Sequence, residues 1–350
     1  MHKNSSNYAE IIDETFFQIF KKHNNSLVIG LGANDPKGYF GTTNKIKKYF
    51  KKRVFDMPIS ENSMTGVVIG ASLRGLRPIL MHQRVDFSLL SLEQIINQAA
   101  KWYYMFDGKK SVPIVIRMII GRGWGQGPQH SQALHSIFSH IPGLKVVMPS
   151  LPETAGQLLY SSFLDKNPVI FLEHRWLFGV KTNAKTVLKN KKILTVNKLN
   201  SGNDISIITT SYMTLELRKM YDLLKKNNIK FDHLDINCFT NLDKKKIIDS
   251  VKKTKKALIL DVGHKSFGVS AEISAMINDE INEKLMIKRL ALPDIPSPTS
   301  YALTKYFYPS TEDICKSIGE ITNKKLKLGK EFKHFNKYMD QPDPSFMGPF

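Results

Sequence analysis

The stretch PIVIRMIIGRGWGQGPQHSQALHS, Pro113 to Ser136, decides how the chain folds. Its first eight residues form an apolar run of strand length, too short for an ordinary helix. Gly121, Gly123, Gly125, Gly127 and Pro128 then crowd around Trp124. At that density of residues with special backbone freedom or a fixed φ, neither helix nor strand persists. Leu134, Ile137 and Phe138 restore an amphipathic pattern on the far side. A strand that opens into a permissive loop and then a helix is where α/β folds hold ligands, and His130 stands at that junction.

Working outward, the same alternation recurs. Before the loop come an amphipathic helix (Ile11, Ile12, Phe16, Ile19, Phe20), the strand SLVIGLG, the Gly-rich helix TGVVIGASLRG, a strand around RPILMHQ and the long helix SLEQIINQAAKWYYM. After it come LKVVMP, the helix PETAGQLLYSSFLDK and PVIFLEH. Continuous apolar strands alternating with helices predict a parallel sheet covered on both faces. From Phe178 to Asn203 the pattern lapses into Lys- and Asn-rich sequence, then resumes with ISIITT, KFDHLDI, KALILDVG and MIKRLAL separated by helices. The expectation is an α/β protein of two parallel-sheet domains: residues 1–190, a linker at 191–203, a second domain at 204–323 and a tail at 324–350.

Composition excludes several classes. Lys and Arg number 51 against 31 Asp and Glu, a net charge of +20. The lysines are scattered, apart from KIKKYFKKR (Lys45 to Arg53) and the second half of the chain. No zinc-finger spacing, basic heptad or RNA-binding aromatic pattern accompanies them, so no nucleic acid is expected. No apolar run reaches the roughly 20 residues of a membrane span. The start MHKNSSNYAEIIDETFF lacks the pattern of a secretory signal, and Cys238 with Cys315 makes no disulfide framework. A cytoplasmic protein without membrane attachment is expected.

His130, His135 and His140 suggest a metal site, but residues five apart on a helix lie about 140° apart and cannot share a face. GRGWGQG lacks GxGxxG spacing, and no GxSxG elbow occurs. Glu61, at the mouth of a small-residue apolar helix, admits two readings. It is a carboxylate favoured by the helix dipole, or one placed in apolar surroundings to hold and release a proton. Asp165 and Asn167 likewise suit a plain turn.

Four ordered motifs carry a resemblance: PISE with GASLRGLRPI, FSLLSLEQIINQAAKWYYM, GPQHSQALHSIFSHIPGLKVVMPS and LDKNPVIFLEH. Together they resemble the beta subunit of the thiamine-diphosphate-dependent decarboxylase of 2-oxo-acid dehydrogenase complexes, within the transketolase-like class. The likeness runs from Tyr8 to Asn323, is densest from Phe55 to Trp176, and thins to FGVSAEI and ALPDIPSPTSYAL in the second domain. It implies a pyrimidine-binding domain followed by a transketolase C-terminal-like domain. Glu61 then matches the glutamate on the aminopyrimidine, Phe87 an aromatic packed on that ring, and Gln83 a neighbour of the cofactor. His130 matches an active-site histidine facing substrate, with Trp124 and Gln129 in the funnel wall around it. Ile114, Ser162, Asp165 and Asn167 match a structural potassium site.

The chain contains no Gly-Asp-Gly, the start of the magnesium-diphosphate motif of this class. The resemblance therefore implies an alpha-type partner that holds the magnesium and diphosphate, an α2β2 assembly, and a lipoyl acyltransferase as a further partner. Two departures bear on substrate. Leu31, Gly32, Ala33 and Asn34 stand where relatives often carry paired acids, and Arg84 stands where a more apolar residue is usual. Arg84 is read either as part of a polar substrate pocket or as half of a surface salt bridge. Two rival functions remain: a split transketolase-like carbon–carbon ligase or lyase of sugar biosynthesis, and a non-catalytic scaffold subunit.

Overall fold

The computed structural model describes residues 5–185, 187–329, 332, 339–342, 346 and 348. Parts of the proposed tail, and the first four residues of the expected first domain, lie outside the described residues. The chain forms two compact units. One comprises Met1–Ile120 and Ile137–Ile193; the other comprises Gly121–Ser136 and Leu194–Gly348. Among the described residues no helix is long and apolar enough to cross a membrane.

The first unit carries β1 (Ser6–Asn7), β2 (Ser26–Gly30), β3 (Val54–Phe55), β4 (Arg77–His82), β5 (Val115–Ile120), β6 (Lys145–Val147), β7 (Val169–His174) and β8 (Lys181–Thr182). Six of these form one sheet in the order β3-β2-β4-β5-β7-β6, every pairing parallel. β1 and β8 make a separate antiparallel ribbon. β2, β5 and β7 are buried along their whole length, which is why they read as unbroken apolar runs. The helix Tyr8–Lys22 opens with a capping box between Asn7 and Glu10 and buries Ile11, Ile12, Phe16, Ile19 and Phe20. The expected helix over residues 91–105 is present and varies in pitch: a 3-10 stretch (Val85–Ser91) leads into it, a π stretch (Gln94–Ala99) interrupts it and an α-helical end (Ala100–Met105) closes it.

This apolar sheet contains a charged pair. Arg117 on β5 and Glu173 on β7 bond to each other with both side chains at 0% exposure. Tyr8 donates to the same carboxylate at 2.9 Å, and Arg117 donates to Thr42 at 2.7 Å while its guanidinium lies over Tyr39 and Phe16. Burial, and next the Glu173 charge, push the Tyr8 phenol well above its ordinary range.

The second unit carries β9 (Val196–Asn200), β10 (Ile205–Thr210), β11 (Phe231–Ile236), β12 (Lys256–His264) and β13 (Met286–Leu292), ordered β13-β12-β10-β11-β9. All pairings are parallel except β9 on β11. Ile208, Leu234, Ile247, Val251, Ile259, Ile273 and Ile277 belong to its core. β9 occupies sequence expected to be linker. An edge strand pairs on one side only and tolerates lysine, and Lys198 reaches the buried Asp232 carboxylate at 3.1 Å.

Removing one member of a buried ion pair strands its partner, at a cost of about 3–5 kcal/mol. Glu173→Ala is accordingly expected to lower stability in urea unfolding by about that amount. Arg117→Met with Glu173→Leu should recover much of the loss. A single variant within about 1 kcal/mol of wild type would contradict this account of the pair.

Candidate functional site

In an open parallel sheet the ligand crevice lies at the carboxyl ends of the strands where the order reverses. In the first unit the chain moves from β2 outward to β3 and then back across to β4, so the reversal falls between β2 and β4. Gln83 follows β4 directly, and its Nε2 lies 3.1 Å from where a Cβ on Gly32 would sit. Gly32 has φ +74°, a conformation that only glycine adopts cheaply. The Asp35 carboxylate borders the same point, so an acid does reach this crevice although positions 31–34 lack one.

Arg84 is buried, with 6% of its surface exposed. It donates to the Gln83 carbonyl at 2.8 Å and lies over the Phe40 ring at 5.6 Å; its Nε has no partner among the described residues. Burial pushes its guanidinium below the usual range. The surface salt bridge is thereby excluded: the side chain is inside, and no ion pair to it exists among the described residues. Phe87, half-buried, belongs to the 3-10 stretch that packs on the helix Glu61–Leu73.

Glu61 is the first residue of that helix and only 5% exposed. Among the described residues, none donates a hydrogen bond to its carboxylate. Its carboxylate thus keeps acceptor capacity for a donor from outside the chain.

His82 belongs to the segment that departs from the family pattern, but sequence alone assigns it no role. It ends β4, is 1% exposed, and neither ring nitrogen has a partner among the described residues. Burial drives its pKa down to about 4. Its polar character within an apolar strand was the available signal.

Ile114, Ser162, Asp165 and Asn167 do share one corner of this unit. The carbonyls of Ile114, Ser162 and Asp165 accept from Val169, Asp165 and Arg77 respectively. Each carbonyl keeps a second lone pair, but the Arg77 guanidinium already stands on the Asp165 oxygen. The Asp165 carboxylate is taken by Lys145 and by the Asn167 N–H, and the Ser162 hydroxyl by the Leu158 carbonyl. Among the described residues no group of three or more His, Cys, Asp or Glu is placed to hold a metal.

His130, Trp124 and Gln129 belong to the second unit. Their loop is closed at its base by the Gly121 N–H to the Gln132 carbonyl at 3.3 Å. Gly125 and Gly127, both at positive φ, press against Thr299: a Cβ on Gly127 would lie 2.3 Å from its hydroxyl. Asp340 accepts from the Gly125 N–H, and Phe346 stacks on Trp124 at 4.8 Å, so described parts of the tail lie on this loop. His130 sits in a turn, half-buried, and Gln129 is exposed. The following helix begins only at His135, so the three histidines do not share a helix.

The comparisons agree with this architecture. Residues 5–180 match the transketolase pyrimidine binding domain, and residues 194–314 the transketolase C-terminal domain. The acetoin:2,6-dichlorophenolindophenol oxidoreductase subunit beta of Cupriavidus necator is 33% identical over 87% of this chain and 90% of its own. The pyruvate dehydrogenase E1 component subunit beta of Porphyra purpurea is 35% identical over 82% and 88%. For the 2-oxoisovalerate dehydrogenase subunit beta of Bacillus subtilis the figures are 32%, 90% and 98%. A solved split gene transketolase, an inactive beta4 tetramer, superposes with TM-score 0.75 over 90% of this chain and 98% of its own. Its 16% identity speaks for the fold alone.

The His82 imidazole yields a prediction. Its folded pKa of about 4 lies below the ordinary 6.5, so between those values the unfolded chain binds a proton that the fold refuses. Its contribution is therefore most favourable above pH 6.5 and is lost as pH falls toward 4. His82→Phe is expected to raise stability by about 1–3 kcal/mol at neutral pH and to flatten that acid limb in urea titrations. A destabilised variant with an unchanged limb would show that the imidazole is satisfied.

Proposed function

Because the chain belongs to the transketolase-like family of 2-oxo-acid dehydrogenase beta subunits, we propose that it supplies the pyrimidine half of a thiamine diphosphate site shared with an alpha-type subunit. The observation that carries the proposal is Glu61: a buried acid on a helix N-terminus, with no donor from the described residues of its own chain. That chemistry fits an aminopyrimidine, whose ring nitrogen would take a proton from the carboxyl group and return it. Phe87 would pack on the ring, and Gln83 would border it. When bound, thiamine diphosphate supplies the electron sink that decarboxylation needs.

The proposed reaction is decarboxylation of a 2-oxo acid with transfer of the acyl group to lipoamide. His130 would hold or donate a proton at the substrate oxygen, and Trp124 and Gln129 would wall its approach. The partner would bring the magnesium and diphosphate contacts that this chain lacks, in an α2β2 assembly that a lipoyl acyltransferase would serve. Exposed apolar side chains beside the candidate residues, Ile59, Val67, Leu89 and Leu90, support such a partner surface. A potassium ion on the carbonyls near Asp165 would be structural. Arg84, a desolvated cation with an uncommitted Nε, favours a substrate that carries a second polar group.

Two measurements on the co-expressed pair test these assignments. Glu61→Gln should cut decarboxylation by at least about 100-fold and weaken thiamine diphosphate binding, with the thermal midpoint within a few degrees of wild type. Retained activity would sink the assignment. Among 2-oxo acids the wild type should favour polar over branched aliphatic side chains, and Arg84→Met should erase that preference. A wild-type preference for 2-oxoisovalerate would overturn the polar pocket.

A further inference from the structure

The second unit has its own strand-order reversal. The chain steps from β10 to β11 on one side and then crosses to β12 on the other, so the crevice opens between the carboxyl ends of β10 and β12. Thr210 ends β10, and Asp261 lies near the end of β12. The crevice is polar. Ser211 and Ser270 have buried hydroxyls without a partner among the described residues, and Ser211 is held at φ +49°.

The chain fills this place itself. His135, drawn from a segment 126 residues earlier in sequence, sets Nε2 3.0 Å from Asp261 Oδ1, and both side chains are 0% exposed. The same carboxylate accepts from Thr210 Oγ1 at 2.8 Å and from the backbone of Gly263 and Ser270 at 3.3 Å. The imidazole packs on Phe239 at 5.3 Å. It is also fitted from below: a Cβ on Gly263 would lie 2.7 Å from His135 Cε1.

We infer that His135 is a positioning residue: it occupies the switch-point crevice of the second unit as an internal ligand and so fixes the Gly-rich loop that presents His130. A loop with four alternating glycines has much backbone entropy to lose. A group that must meet a reacting atom needs placement within about 0.5 Å. The Thr299 contact restrains the glycine side of the loop; His135 and Asp261 restrain its exit, five residues beyond His130. A buried polar pair of this kind is weak evidence for stability, and registry is its best-attested use. The inference rests on the role proposed above for His130.

The test uses the full chain co-expressed with its alpha-type partner, as wild type, His135→Leu, His135→Gln, Asp261→Asn and Gly263→Ala. Gly263→Ala keeps both partners chemically intact and only crowds the imidazole, so it serves if a charge variant fails to fold. Limited trypsin digestion reads the loop through cleavage after Arg122, which is 8% exposed, with the exposed Lys192 as internal reference. Cleavage after Arg122 is expected to be at least ten-fold faster in His135→Leu and Gly263→Ala, with the reference site unchanged. In the same variants kcat for 2-oxo-acid decarboxylation should fall at least twenty-fold with KM within three-fold, and His135→Gln, which keeps an N–H donor, should recover most of it. Unchanged cleavage, or faster cleavage with kcat intact, overturns the positioning role. A wild-type pair without any 2-oxo-acid turnover sinks the functional reading instead, and the positioning role with it. A working wild type with a silent His135→Leu sinks the positioning role alone.

Discussion

Parallel strands must separate at their carboxyl ends wherever successive crossovers leave in opposite directions, and no backbone pairing can close that gap. Both units of this protein are organised around such a gap. Buried polar side chains stand at both: His82 and Arg84 in the first unit, and His135, Asp261, Ser211 and Ser270 in the second. The two gaps differ in their contents. The first holds nitrogen donors that the described residues leave uncommitted; in the second, a histidine and an aspartate from the same chain meet and satisfy one another. The second crevice is already filled from within the chain.

The buried charges fall into the same division. Arg117 and Glu173 bridge neighbouring strands in the middle of an apolar sheet and draw Tyr8 and Thr42 into the network, which ties the first helix and a loop to fixed strand positions. Asp261 is held below the ordinary carboxylate range. Burial would raise it, but the His135 charge and the hydrogen bonds from His135, Thr210 and Gly263 outweigh that effect. Neither pair offers much net stability over a well-packed apolar alternative. In each, a shifted register would leave a buried polar group without its partner.

Much of this was legible in the sequence. Unbroken apolar strands alternating with amphipathic helices specify two covered parallel sheets, and they appear where the periodicity puts them. Glu61 stands out locally as a carboxylate at the start of an apolar helix, and the residues alone left its two readings open. What stayed hidden depends on pairing. β9 reads as linker because an edge strand needs few apolar residues, and its Lys198 made sense only once Asp232 was opposite. Arg84 left two readings open until burial removed one. The bond between His135 and Asp261 joins positions 126 residues apart, and no local pattern announces it. His135 was noticed only as a poor metal ligand, since helical geometry compares neighbours in sequence and not across a fold.

That long separation has a consequence for how the protein is made. The segment Gly121–Ser136 emerges from the ribosome well before the strand that seats it. At ordinary translation speeds of about 5–20 residues per second, it waits roughly ten seconds for Asp261 to appear. During that interval the first sheet can already assemble, while the aspartate that seats the glycine-rich loop has not yet been made. Cutting the gene at the apparent linker would make this transient condition permanent. The sixteen residues Gly121–Ser136 are thus encoded within the span of the first unit and fold with the second.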